Sequence, residues 1–135
     1  MTSEQGICHL FFHFSRQDGQ FSEEEIEFIA AKTVALGMRN SIDFKKEVED
    51  YIHSMKDWND NQAYLEYLVT IIKPVNILAV FSWCVEICLQ DELITTEEEL
   101  LLDQLAALLA IDNMQRDTIK DLMIERKVTE LNKTI

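Results

Sequence analysis

Apolar residues recur at spacings of three and four along almost the whole chain, the period of a helix that buries one face. Ile7, Leu10, Phe11 and Phe14 predict a helix over about 4–16, with that face in the core and His9 and His13 one turn apart on the opposite, solvated side. Ile26, Ile29, Ala30, Thr33 and Val34 predict a second over about 23–36, stopped by Gly37. A third begins after Ser41 and carries Phe44, Val48, Tyr51, Ile52 and Met55. The polar run at 56–61 breaks the pattern, with Trp58 as a lid on the core. A fourth stripe of Tyr64, Leu65, Leu68, Ile71 and Ile72 then continues until Pro74. Over 74–89 the chain is apolar nearly all round, which predicts a central buried helix with Pro74 in its first turn. Leucine-rich 96–110 and a stripe of Ile119, Leu122 and Met123 within 114–131 complete seven helices.

Two stretches of this pattern repeat. Gln17, Asp18, Glu24, Glu25, Leu36 and Asn40 recur as Gln90, Asp91, Glu97, Glu98, Leu109 and Asn113, at a constant offset of 73 residues (91 − 18). Between them like replaces like: Phe21 and Ile94, Ser22 and Thr95, Ile29 and Leu102, Met38 and Ile111. The expected architecture is therefore all-α, one domain over 1–135. Its two pseudo-repeated halves, about 4–55 and 74–131, surround the central helix, with the fourth helix as connector. Each repeat opens with a capping box: Ser22 with Glu25, and Thr95 with Glu98, each hydroxyl accepting from the N3 amide while the glutamate returns to the N-cap amide. Acidic first turns, Glu23 to Glu25 and Glu97 to Glu99, also suit the positive end of a helix dipole.

Charge narrows the partners. Twenty-five acidic against 12 basic side chains leave a formal charge of −13, which repels nucleic acid and anionic lipid. Cations and basic protein surfaces are favoured by sign. The stretch at 74–89 is too short and, with Asn76 and Glu86, too polar to span a bilayer, so no direct membrane insertion is expected. No secretory leader pattern is visible, and Cys8, Cys84 and Cys88 form no disulfide framework, which together predict a cytoplasmic protein. No nucleophile elbow, phosphate loop, HExxH helix or CxxC pair is present, so no catalytic residue is assigned and an enzyme is not expected. His9, His13, Cys84 and Cys88 have a ligand count suitable for zinc, but the histidines are expected to face away from the core and the cysteines into it.

The acidic turns carry the candidate chemistry. Asp18, Gly19 and Glu25 match positions 5, 6 and 12 of an EF-hand loop, but Phe14 and Arg16 occupy positions 1 and 3, where oxygen ligands are needed. Neither turn is a self-sufficient calcium loop. A divalent cation shared through Asp18, Glu25, Asp91 and Glu98 would supply in common what each turn lacks. A helix followed by D-G-x-hydrophobic-S/T-x-x-E, found twice in one helical chain, resembles the tellurite-resistance TerB-like family. Asp18, Gly19, Phe21, Ser22 and Glu25 carry the first motif. Asp91, Ile94, Thr95 and Glu98 carry the second, in which Glu92 stands where the first has glycine. The resemblance implies a small cytoplasmic stress-response domain whose paired acidic turns bind metal and which works with proteins of a membrane-associated system. The alternative is a non-catalytic interaction module in which the turns only cap helices and Phe28, Trp58 or the acidic face meets a partner.

Overall fold

The computed structural model describes residues 1–15, 21–91 and 93–135. Those residues form seven α-helices and one 3-10 turn, with no strand among them. The helices are α1 (Ser3–Ser15), α2 (Glu23–Ala35), α3 (Phe44–Ser54), α4 (Asn61–Ile72), α5 (Ile77–Cys88), α6 (Thr96–Leu108) and α7 (Asn113–Asn132), and the 3-10 turn is Leu89–Asp91. The chain divides into two compact units, Met1–Lys73 and Pro74–Ile135. No helix among the described residues is long and apolar enough to cross a membrane.

In the first unit α1 is the hub, packing against α2, α3 and above all α4. Thr2 starts it by accepting from the amide of Gln5 at 3.1 Å, while the Gln5 side chain accepts from the amide of Thr2 at 2.7 Å. Every residue from Gly6 to Ser15 is buried. Gly6 lets α4 approach, because a Cβ there would stand 2.9 Å from Ile72 Cγ1 and 3.2 Å from Ile71 Cγ2. Phe12 sits among Phe21, Phe44 and Tyr51 at ring separations of 5.5–5.7 Å, within the range for favourable aromatic pairs. Asp43 and Asp60 cap α3 and α4. Lys73 ends α4 with φ 48°, ahead of Pro74, which disfavours a helical predecessor.

Three expectations change here. The helix buried on all sides is α1 rather than α5, where Leu78 is exposed and Ile77, Ala79, Ser82, Trp83 and Glu86 are half-buried. Hydropathy ranks α5 first because α1 contains His9, His13 and Ser15, which are themselves buried and hydrogen-bonded. Pro74 lies outside α5, whose N-cap is Asn76. Finally, α4 is no mere connector, since it is the principal partner of α1. At the edges of the predicted stripes, Val34, Ile52 and Leu122 are exposed.

In the second unit α5 packs against both α6 and α7. Phe81, Cys84, Val85, Cys88, Leu102, Leu105, Ala106, Leu109 and Ile111 are buried there. Polar contacts fasten α7: Lys120 Nζ donates to Glu99 at 3.1 Å and Asp103 at 3.4 Å, and Arg116 Nε lies 3.7 Å from Asp103.

The 73-residue offset recurs in the backbone of α2 and α6. Glu23 and Ala35 bound the first helix, Thr96 and Leu108 the second, each 73 positions on. Both end alike. Gly37 and Met38 donate to Val34 and Thr33 carbonyls, each at 3.0 Å, while Ala110 and Ile111 donate to Ala107 and Ala106 at 3.1 and 2.9 Å. This is the Schellman pattern, whose C′ residue adopts the left-handed conformation. Gly37 has φ 77° and its counterpart Ala110 has φ 57°. Alanine is strained there by about 1–2 kcal/mol, partly offset by the greater chain entropy that glycine loses. Ala110→Gly should therefore raise stability in urea unfolding by roughly 0.5–1 kcal/mol. Gly37→Ala should lower it by a similar amount, through φ alone, because a Cβ at Gly37 meets nothing within 4 Å. A destabilised Ala110→Gly would show that the αL strain is relieved elsewhere.

Candidate functional site

Both acidic turns form the capping boxes that their sequences specify. Ser22 Oγ accepts from the amide of Glu25 at 3.1 Å, and Glu25 Oε1 accepts from the amide of Ser22 at 2.9 Å. Thr95 and Glu98 do the same at 3.1 and 3.0 Å. The N-cap backbones agree closely, with φ, ψ of −76°, 158° at Ser22 and −75°, 163° at Thr95. In the first turn the preceding helix adds one more donor: Ser15 Oγ donates to Glu25 Oε2 at 3.1 Å. In the second, Cys88 stands 73 positions after Ser15, and the Glu98 carboxylate adds to burial in raising its thiol pKa.

Of the four residues expected to hold a cation, Glu25 and Glu98 thus serve as cap glutamates, and Glu25 also accepts from the helix before it. Asp91 is exposed at the end of the 3-10 turn. Asp18 lies outside the described residues, as do Gly19 and Glu92. Among the described residues, no group of three or more His, Cys, Asp or Glu side chains is arranged to hold a metal ion. The cysteines offer no ready nucleophile either: burial pushes the Cys8 thiol up to about 12 and raises those of Cys84 and Cys88 well above the ordinary range.

The densest polar constellation lies inside the first unit, on residues expected to face water. His9 and His13 are both buried, 1 % and 5 % exposed, where the sequence pattern predicts a solvated pair. Gln5, His9 and His13 follow one another at four-residue spacing and form a polar stripe on α1. Glu47 and Tyr51, also four apart, face it from α3, and Tyr64 faces it from α4. Glu47 Oε2 accepts from Gln5 Nε2 and its Oε1 from His9 Nε2, each at 3.0 Å. His9 Nδ1 stands 3.2 Å from the Tyr64 hydroxyl, and His13 Nδ1 stands 2.8 Å from that of Tyr51. His13 Nε2 lies 3.3 Å from the carbonyl of Asn61. Carboxylate and carbonyl oxygens only accept, so each Nε2 carries a proton, and in a neutral His9 the Nδ1 then accepts from Tyr64. Burial lowers the His9 pKa below its ordinary value, against the opposing pull of Glu47, and raises that of Tyr64. The His9 ring is thus held neutral. Among the described residues no buried side-chain polar atom lacks a hydrogen-bond partner.

The sequence carried a sign of this network, since Gln5, His9 and His13 share a stripe and Glu47 interrupts an apolar face three after Phe44 and four before Tyr51. Nothing in one helix reveals that another will bring a matching stripe. Trp58 behaves as the expected lid, with its ring 5.3 Å from both Tyr64 and Tyr67, and Phe28 is half-buried.

Removing Glu47 should be costly, because it leaves the buried Nε2 donor of His9 unpaired at roughly 1–3 kcal/mol and takes the partner of half-buried Gln5. Glu47→Ala is expected to lose about 2 kcal/mol or more in urea unfolding, whereas Glu49→Ala, at an exposed neighbour, should stay within about 0.5 kcal/mol. Equal losses at the two positions would mean that Glu47 does not anchor the network. Comparison with known proteins adds no anchor, for no family model, no curated protein and no solved structure matches this chain.

Proposed function

We propose that this chain is a non-catalytic helical interaction module whose acidic turns serve as helix caps and whose α7 presents an apolar stripe to a helix of a protein partner. One observation carries this reading. Ile124, Val128 and Leu131, at spacings of four and three, are 38 %, 49 % and 50 % exposed, although they form a continuous stripe of the kind that a helix normally buries. Glu125 and Lys127 flank them on either side, so the stripe has a charged residue at each edge. The cap geometry supports the same reading, because Glu25 and Glu98 have local work that needs no ligand.

A second reading keeps the TerB-like resemblance: a small cytoplasmic stress-response domain that holds a divalent cation through Asp18, Glu25, Asp91 and Glu98. It is favoured by the recurrence of one capped turn, with closely similar backbone angles, 73 residues on.

Two experiments decide between them. Val128→Glu and Leu131→Glu, at exposed sites, should leave the melting temperature nearly unchanged, and they should abolish cross-linking to proteins that the wild-type chain captures from its own cells. Identical cross-linked sets from wild type and variants would end the α7 reading. In a titration with calcium, magnesium, manganese or zinc at fixed ionic strength, helix caps predict no saturable rise in melting temperature. A bound cation at about 100 times its dissociation constant predicts roughly 2.7 kcal/mol, or about 3–6 °C, lost in Asp18→Asn and Asp91→Asn.

A further inference from the structure

His9 is the junction of three helices. Its Nε2 is bound to Glu47 of α3 and its Nδ1 to Tyr64 of α4, while its own backbone belongs to α1. Tyr64 is itself buried, and its ring packs on two rings nearer the surface: it lies 5.3 Å from Trp58 and 6.0 Å from Tyr67, which are themselves 5.3 Å apart and half-buried. A buried imidazole is therefore linked through one hydroxyl to a pair of surface aromatic rings.

From this geometry we infer that the first unit contains a pH-sensitive latch, in which protonation of His9 at Nδ1 reverses its hydrogen bond with Tyr64 and shifts the Trp58–Tyr67 pair. The imidazole gains a proton from solvent at Nδ1 and becomes a cation with two N–H donors. Tyr64 then accepts from Nδ1–H and must turn its own O–H toward another acceptor, in surroundings formed by the rings of His13, Tyr51, Trp58 and Tyr67. The groups around His9 act in opposite directions. From α3, Glu47 and Asp50 favour the cation, and Tyr51 places its ring edge-on at 5.9 Å. From α1, the N-terminal ammonium opposes it, and His13 stands one turn away. From α4, the hydroxyl of Tyr64 meets its Nδ1. α2 brings Glu25 to Ser15, six residues further along α1.

The sign of the effect follows from burial. The folded-state pKa of His9 lies below the 6.5 of an ordinary imidazole. Between those two values the unfolded chain binds more protons than the folded one, so the contribution of neutral His9 is complete above pH 6.5 and declines as pH falls below it.

The test uses the full chain with Trp83→Phe, which leaves Trp58 as the sole indole. Tryptophan emission is followed from about pH 7.5 to pH 5, a range that stays above the ordinary titration of carboxylates. The expected result is a reversible shift of Trp58 emission that follows the imidazole resonances of His9 in the same protein, with exposed His53 as a separate marker. Tyr64→Phe keeps the ring but removes the hydroxyl, and it should abolish the emission shift while His9 still titrates. His9→Gln, which keeps a donor toward Glu47 but cannot be protonated, should also be flat. If His9→Gln does not fold, Tyr64→Phe alone decides the matter. A flat wild-type profile overturns the latch, as does a Tyr64→Phe profile that matches wild type.

Discussion

The first unit depends on one constraint: a helix can be surrounded on every side only if each polar atom it carries is met by another. α1 brings His9, His13 and Ser15 into the interior, with half-buried Gln5 at the edge, and Glu47, Tyr64, Tyr51, the Asn61 carbonyl and Glu25 meet them. An unpaired buried polar group costs about 1–3 kcal/mol, a sizeable share of a domain's net stability, so the network fixes how α2, α3 and α4 dock on α1. Apolar contacts alone are less discriminating, since they tolerate small slides and rotations. With Gly6 drawing Ile71 and Ile72 close, both ends of α1 are specified.

The second unit reuses the local device and changes the global one. Its α6 begins and ends as α2 does, with the same capping box and the same C-terminal turn. The surroundings differ. α1 is enclosed by three helices, whereas α5 is packed by α6 and by a single long α7, which buries only Lys120 outright. The remaining apolar side chains of α7 are partly or largely exposed, and this surplus is the physical basis for assigning α7 a partner. In a chain of charge −13, α7 is also where cationic side chains gather, with Arg116, Lys120, Arg126 and Lys127 along its length.

The acidic turns illustrate how one carboxylate supports two explanations. At a helix start, a glutamate three residues after Ser or Thr satisfies the N-cap amide and lies in the favourable field of the dipole. The same oxygens suit a cation. The structure accounts for Glu25 and Glu98 by the first route, and titration with metal tests the second.

The sequence by itself determined whatever is set within about one helical turn. The seven helices, the Ser22 and Thr95 capping boxes, the stop at Gly37 and the break before α4 all follow from side-chain chemistry and periodicity acting over three or four neighbours. The absence of a spanning segment follows in the same way. Tertiary structure decided which face of each helix is inside. Imidazoles opposite an apolar stripe are usually solvated, but α3 and α4 bring Glu47, Tyr51 and Tyr64 to His9 and His13 from residues 38 to 55 positions away. Val34, Ile52 and Leu122 are apolar members of predicted stripes, yet they stand exposed at the stripe edges. Periodicity records that a helix has two faces, but burial depends on what the rest of the chain brings against each.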